Sequence, residues 1–375
     1  MLPPLASLFQ PLQIRSLTIK NRFVMVAMSR YNSPNGIPDE DLVAFHAHRA
    51  AGGVGLQITG ATAIDRPGAN NHPRLANFRP DSYAAWREVV TATHAAGGPL
   101  CLQMWHAGAL FNVAPEWQPD PIESPSGLTA PGEPRGVAMT EEMIADTIAA
   151  FATAARQAQR VGFDTVEIHA AHGFLIDEFF WAGTNLRTDR WGGATLVERS
   201  RFASEIVRAV RAAIGPDMAL LMRVSQWKEQ DYSVKLAGSP DELALWLQPF
   251  ADAGVDLFDC SQRRFWEAEF EGSDLNFAGW VKKVTGVPTI TAGSVGLNNE
   301  VMTFFTESVP AQPAPLDELL RRYDRGDFDL VGMGRALLGD AEWVAKVRDG
   351  RFDDLQVVYP KDVFKVETLI RAAGA

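Results

Sequence analysis

TEEMIADTIAAFATAARQAQRVGFDTVEIHA, residues 140–170, contains one complete helix-to-strand unit. Thr140 reads as the N-cap, its hydroxyl free to accept from a backbone N–H of the first turn. Glu141 and Glu142 follow, where carboxylates meet the positive end of the helix dipole, and Gly162 stops the helix. Ile144, Ile148, Phe151 and Ala155 recur at helical spacing and define one apolar face. The next run, DTVEIHA (164–170), is short and almost continuously apolar. Such a strand is buried on both faces, as in a parallel sheet covered by helices.

The same unit recurs along the chain. NRFVMVA (21–27), GGVGLQITG (52–60), PLCLQMW (99–105), ALLMRVS (219–225), DLFDCS (256–261), PTITAG (288–293) and DLVGMGR (329–335) complete a set with DTVEIHA. Amphipathic stretches such as SRFASEIVRAVRAAIG (200–215) and SPDELALWLQPFADAG (239–254) lie between them. Eight strands alternating with helices fit either a closed barrel or a doubly wound sheet. Eight is the closing number, and no GxGxxG follows the first strand, so the expectation is an α/β fold, a single (β/α)8 TIM barrel over residues 1–375. SLFQPLQIRSLTIKN (7–21) reads as a hairpin that caps the barrel bottom. Residues 107–139, rich in Pro and Gly, form a long excursion after the third strand, and residues 301–315 interrupt the helix expected after the seventh.

Composition narrows the function. Thirty-five Lys and Arg face 46 Asp and Glu, a net charge of −11. This balance disfavours nucleic acid and anionic lipid as partners and leaves a small molecule as the expected one. A homo-oligomer is compatible with the sequence. No stretch reads as a membrane span or a signal peptide, so the expected location is cytoplasmic. The two cysteines, Cys101 and Cys260, are too few for a disulfide framework, a Cys-ligated zinc or an iron–sulfur cluster.

In an eight-fold barrel the chemistry sits at the C-terminal strand ends. These carry Tyr31, Gln103, Trp105, His169, His172, Arg223 and Arg335, and few carboxylates; Glu167 lies within the fourth strand. A metal site would place His with Asp or Glu at several strand ends, and glycoside hydrolysis needs a carboxylate pair there, so neither is expected. After strands seven and eight, AGS (292–294) and MGRALLGD (333–340) place small residues at turns into helices. Backbone N–H groups at Gly293, Ser294 and Gly334, with Arg335, suit a phosphate.

LFQPLQIRSLTIKNRFVMVAMSRY, QMWHAG, VEIHAAHGFLIDEFFWAGTNLRTDRWGG, MRVS and the paired turns together resemble the Old Yellow Enzyme family of FMN-dependent ene-reductases, over nearly the whole chain. The resemblance implies FMN as cofactor, NAD(P)H as hydride donor and reduction of activated C=C bonds in enones and nitroalkenes. It implies that Ala27, Met28 and Ser29 contact the flavin, that Ala61 and Gln103 hold its pyrimidine edge, and that Arg223 sits by N1–C2=O. Gly293, Ser294, Gly334 and Arg335 would hold its phosphate. His169 and His172 would anchor a substrate oxygen, with Trp105 and Tyr31 lining the pocket, and Trp266 is read as a loop wall. The chemistry agrees, since a buried arginine stabilises negative charge without losing its own, and paired histidine donors polarise an enone. Two positions depart from the pattern. Phe174 replaces the family's proton-donating tyrosine, which leaves Tyr31 or water as donor, and Ala27 stands where proline is common. The alternative activity is oxidative demethylation of an N-methylated amine or betaine, which needs no proton delivered to carbon.

Overall fold

The computed structural model describes residues 3–110, 117 and 120–363. Eight strands close the barrel: β1 (Phe23–Met25), β2 (Leu56–Ile58), β3 (Leu100–Trp105), β4 (Thr165–His172), β5 (Ala219–Lys228), β6 (Leu257–Ser261), β7 (Thr289–Ala292) and β8 (Leu330–Met333). Each pairs in parallel with the next, and β8 returns to β1 through Val331 opposite Phe23. Helices occupy the connections, among them Glu40–Ala51 after β1, Glu141–Val161 after β3 and Arg201–Ile214 after β4. Thr140 caps the second of these by accepting from the Met143 N–H at 3.2 Å, and Gly162 ends it at φ 113°. The cap and stop expected from residues 140–162 are therefore the ones used.

The alternation of side chains divides each strand between two environments. Phe23, Met25, Leu102, Val166 and Met222 belong to the layer shared with the helices. Val24, Leu56, Cys101, Leu221, Leu257 and Ile290 form a second buried cluster inside the barrel. Ile14, Leu17 and Ile19 join that inner cluster from the antiparallel hairpin Leu12–Ile14/Leu17–Ile19. The hairpin is fastened at the end where strands begin. Arg15 pairs with Asp256 just ahead of β6 at 2.5 Å, and the Ser16 N–H donates to Asp217 C=O ahead of β5. The sequence's bottom cap is thus a plug whose apolar face completes the interior.

The excursion after β3 contains short pairings, Val137–Ala138 with Glu123–Ser124 and Glu133–Pro134 with Leu128–Ala130; the rest of it includes positions outside the described residues. Residues 301–315 give only the short helix Val301–Thr306 before Asp317–Arg325 begins. Among the described residues no helix is long and apolar enough to cross a membrane.

Because Ile19 is fully buried in the plug, Ile19→Ala should cost about 2–5 kcal/mol of stability. Urea denaturation followed by circular dichroism measures this. A loss below about 1 kcal/mol would mean that the hairpin does not complete the core.

Candidate active site

Above the apolar plug the barrel interior turns polar. Continuing the inner face by steps of two from Cys101, Leu221 and Leu257 reaches Gln103, Arg223 and Asp259, and β4 adds Glu167 and His169. Gln103 Nε2 donates to Glu167 Oε1 at 2.7 Å, while Arg223 Nε lies 3.5 Å from Asp259 Oδ2. Burial pushes the Glu167 carboxyl up to about 8, and the Asp259 charge adds to that, against the pull of Arg223 and the Gln103 hydrogen bond. Burial also raises Asp259, opposed by Arg223. Arg223 reaches upward as well, its Nη1 donating to Ala27 C=O at 3.4 Å. Asp259 escaped notice in the sequence because DLFDCS shows a carboxylate inside an apolar run, with no indication of a partner.

A cavity of about 330 Å³ opens over this layer at the C-terminal strand ends. Ala27, Met28, Ser29, His172, Arg223, Gly293, Ser294, Gly334 and Arg335 all line it, so these predicted residues are brought together. The β7 and β8 turns converge through Arg335. Its guanidinium donates to Ser294 Oγ at 3.2 Å, Asn299 Oδ1 at 2.8 Å, Asn299 C=O at 2.6 Å and Glu300 C=O at 3.2 Å. All four acceptors are uncharged. The Glu300 carboxylate is itself engaged by Arg263 and Arg264. Burial lowers Arg335 to about 10, the cost of a guanidinium without a bonded carboxylate. Ser294 adopts φ 56°, and a Cβ on Gly293 would lie 2.4 Å from Gln262 C=O. The β7 turn is therefore held in a conformation that only a small residue permits.

A chain of aromatic rings runs beside the cavity; His172 and Trp227 line it, whereas the predicted residues Gln103, Trp105, His169 and Phe174 are not part of its lining. Trp105 and Phe174 meet edge-to-face at 5.3 Å, Phe174 and His169 at 5.0 Å, and His169 and His172 at 5.3 Å. His172 stacks on Trp227 at 4.3 Å, and Trp227 on Tyr232 at 5.2 Å. His172 Nε2 lies 2.7 Å from Ser261 Oγ, whereas His169 Nδ1 is buried with no hydrogen-bond partner. Both imidazoles are driven well below the usual histidine range by burial, then by the Arg223 charge, so both are neutral at pH 7. His172 has φ 67°, and the following turn is anchored by Asp177, which accepts from the Gly173 N–H at 2.7 Å and from buried Lys228 at 2.6 Å.

Tyr31 and Ala61 line a smaller adjoining pocket with Met28 and Ser29. Tyr31 has φ 56°, and burial followed by the Glu229 charge raises its hydroxyl, which therefore stays protonated at neutral pH. Trp266 is not brought into the cavity lining; it packs edge-on against Phe265 at 5.2 Å and is 37% exposed. Trp227 and Ser261 take part where sequence reading assigned nothing. Ser261 stood at a strand end, but the partner that reveals its use, His172, is 89 residues away. Among the described residues no cluster of His, Cys, Asp or Glu could hold a metal ion.

The model of the NADH:flavin oxidoreductase / NADH oxidase family matches residues 7–308. A metal reductase of Desulforamulus reducens is 32% identical over 361 residues, 93% of this chain, which spans half the length of that relative. An NADPH dehydrogenase of Bacillus velezensis is 35% identical over 300 residues, 77% of this chain and 83% of its own. Morphinone reductase in complex with tetrahydroNAD superposes with a TM-score of 0.78 at 25% identity, covering 98% of this chain and 99% of that one. The old yellow enzyme homologue from Zymomonas mobilis gives 0.76 at 25% identity, covering 97% and 100%. A barrel closed by these strands, a buried arginine held by uncharged acceptors over β7 and β8, and the match over residues 7–308 agree: the chain belongs to the NADH:flavin oxidoreductase / NADH oxidase family, as an FMN-dependent NAD(P)H oxidoreductase of the Old Yellow Enzyme kind.

Proposed function

We propose that this protein reduces activated C=C bonds, in enones and nitroalkenes, with FMN held along the cavity and NAD(P)H as the source of hydride. The observation that carries the reading is a cavity with two buried guanidiniums, one of which, Arg335, bonds only uncharged acceptors. A phosphate supplies the missing anion, and Ser294 Oγ and the Gly293 and Gly334 turns surround it. Arg223 then serves the pyrimidine end, where its permanent charge stabilises negative charge on the cofactor. Ala27, Met28 and Ser29 line the cavity and would hold the ring system, and Ala61 and Gln103 would hold its pyrimidine edge. When bound, FMN supplies reversible two-electron storage and hydride transfer.

The chain's own groups do the rest. His169 and His172 act as hydrogen-bond donors, not as cations, because both are neutral. His172 Nε2 and Ser261 Oγ are in hydrogen-bond contact; with the hydroxyl as donor, His172 would carry its proton on Nδ1 for a substrate oxygen, and the two histidines would draw charge off the β-carbon. Trp105 and Phe174 belong to the aromatic chain beside the cavity. Phe174 holds no proton, so protonation at the α-carbon falls to Tyr31 or to water. The same residue gives a second reading some support: oxidation of an N-methylated amine requires no such proton.

FMN, not FAD, should be released on denaturation and identified by chromatography; FAD would contradict the single phosphate site. Arg335→Ala should weaken FMN binding by about 1.5–3 kcal/mol, measured by flavin fluorescence titration, with little change in reduction potential. Arg223→Ala should instead lower the potential.

Phe174→Tyr should speed flavin reoxidation by 2-cyclohexenone, up to the about 10²–10⁴-fold that general acids contribute, with reduction by NAD(P)H unchanged. Stopped-flow traces on both half-reactions measure this. Turnover of N-methyl amino acids, with no reoxidation by any alkene in either protein, would favour the demethylase reading.

A further inference from the structure

Beneath the cavity the charges do not balance if every group ionises. Glu167 and Asp259 are both fully buried, and among the described residues the one permanent cation facing them is Arg223. Arg223 Nε approaches Asp259 at 3.5 Å, and Glu167 receives a single donor, the neutral Gln103 amide. Glu167 Oε2 and both Asp259 oxygens have no hydrogen-bond partner. Two buried carboxylates against one guanidinium would leave a net negative charge in a dry interior, which is costly enough that one of them keeps a proton instead.

We propose that Glu167 is a neutral carboxylic acid in the working protein, and that with Asp259 it forms a positioning pair that sets the flavin's reduction potential. Asp259 alone then neutralises Arg223, and Glu167 anchors Gln103 without adding charge. The inference rests on the flavin reading above for its effect on the cofactor, but not for the protonation of Glu167 itself.

The surroundings of Glu167 support this. Gln103 and Cys101 face it from β3, His169 follows it on β4, Arg223 faces it from β5 and Asp259 from β6. Of these, His169 is neutral, and the Cys101 thiol, pushed well above its usual range chiefly by burial, stays protonated, so neither adds charge to the site. The upward displacement of Glu167, to about 8, has the same origin.

Ionisation of Glu167 would place a net negative charge under the pyrimidine end. Reduction adds negative charge to the same region, so the potential must fall as Glu167 loses its proton. Conversely, reduction must draw a proton toward Glu167.

The test is the midpoint potential of the FMN-bound protein from about pH 6 to about pH 10. Wild type should fall more steeply over part of this range than Glu167→Gln, which stays neutral and still accepts from Gln103. The two proteins should agree at the acid end, with wild type lower at the alkaline end. The infrared difference between wild type and Glu167→Gln, in which other buried carboxyls such as Glu178 cancel, should show a protonated carboxylic acid carbonyl at pH 7 that is lost as pH rises.

Should Glu167→Gln fail to fold, Asp259→Asn provides the second arm: it lets Glu167 ionise against Arg223, so the extra slope and the carbonyl band should both vanish. Parallel potentials in wild type and variant, or no carbonyl band in the infrared difference, would overturn the proposal. The infrared arm can be read in protein without FMN, so failure of the flavin reading would be told apart from failure of this one.

Discussion

Everything at this site follows from the need to fill a closed parallel barrel from which water is excluded. Strand closure sends every second side chain into a space that has no solvent to satisfy it. At the lower end the chain meets that demand with hydrocarbon, drawing Ile14, Leu17 and Ile19 in from the hairpin to meet Leu221 and Leu257. At the upper end it places polar groups, which must then satisfy one another. They do so incompletely. Arg223, Glu167, Asp259 and His169 each retain a buried polar atom with no hydrogen-bond partner.

The strained backbone lies in the same place. Tyr31, His172 and Ser294 all have positive φ without being glycine; His172 is the last residue of β4, and Tyr31 and Ser294 follow β1 and β7. Left-handed backbone at such residues persists only where surrounding contacts enforce it. Here those contacts are the Lys228–Asp177 pair under the His172 turn, the Arg335 fan over Ser294, and Arg74 Nε donating to Tyr31 C=O at 2.7 Å. Buried charge thus aims the His172 and Ser294 turns, while an exposed arginine holds Tyr31.

Much of this was legible in the sequence. Apolar runs at eight places, the Thr140 cap and the Gly162 stop depend on neighbours within a few residues, and local patterning reports such features directly. The β7 and β8 turns were legible for the same reason. What the sequence concealed is long-range pairing. Asp259 looked like an isolated acid, Trp227 like one tryptophan among ten, and Ser261 like the end of a strand; each acquires its part from a partner on another strand. Trp266 shows the converse, since an aromatic residue in a loop offers no local sign of whether it faces the cavity or, as here, Phe265 and solvent.

Phe174 sets the account's sharpest demand. Its ring has no acidic hydrogen, so under the proposed alkene reduction an acceptor whose reduced form can leave unprotonated asks least of this site. The decisive measurement is anaerobic: the FMN protein, reduced by one equivalent of NADPH, is mixed with a nitroalkene such as nitrostyrene while the flavin absorbance is followed. The flavin should reoxidise without oxygen, and one equivalent of the nitroalkane should be recovered. A flavin that stays reduced until oxygen is admitted, with the nitroalkene unchanged, would contradict it.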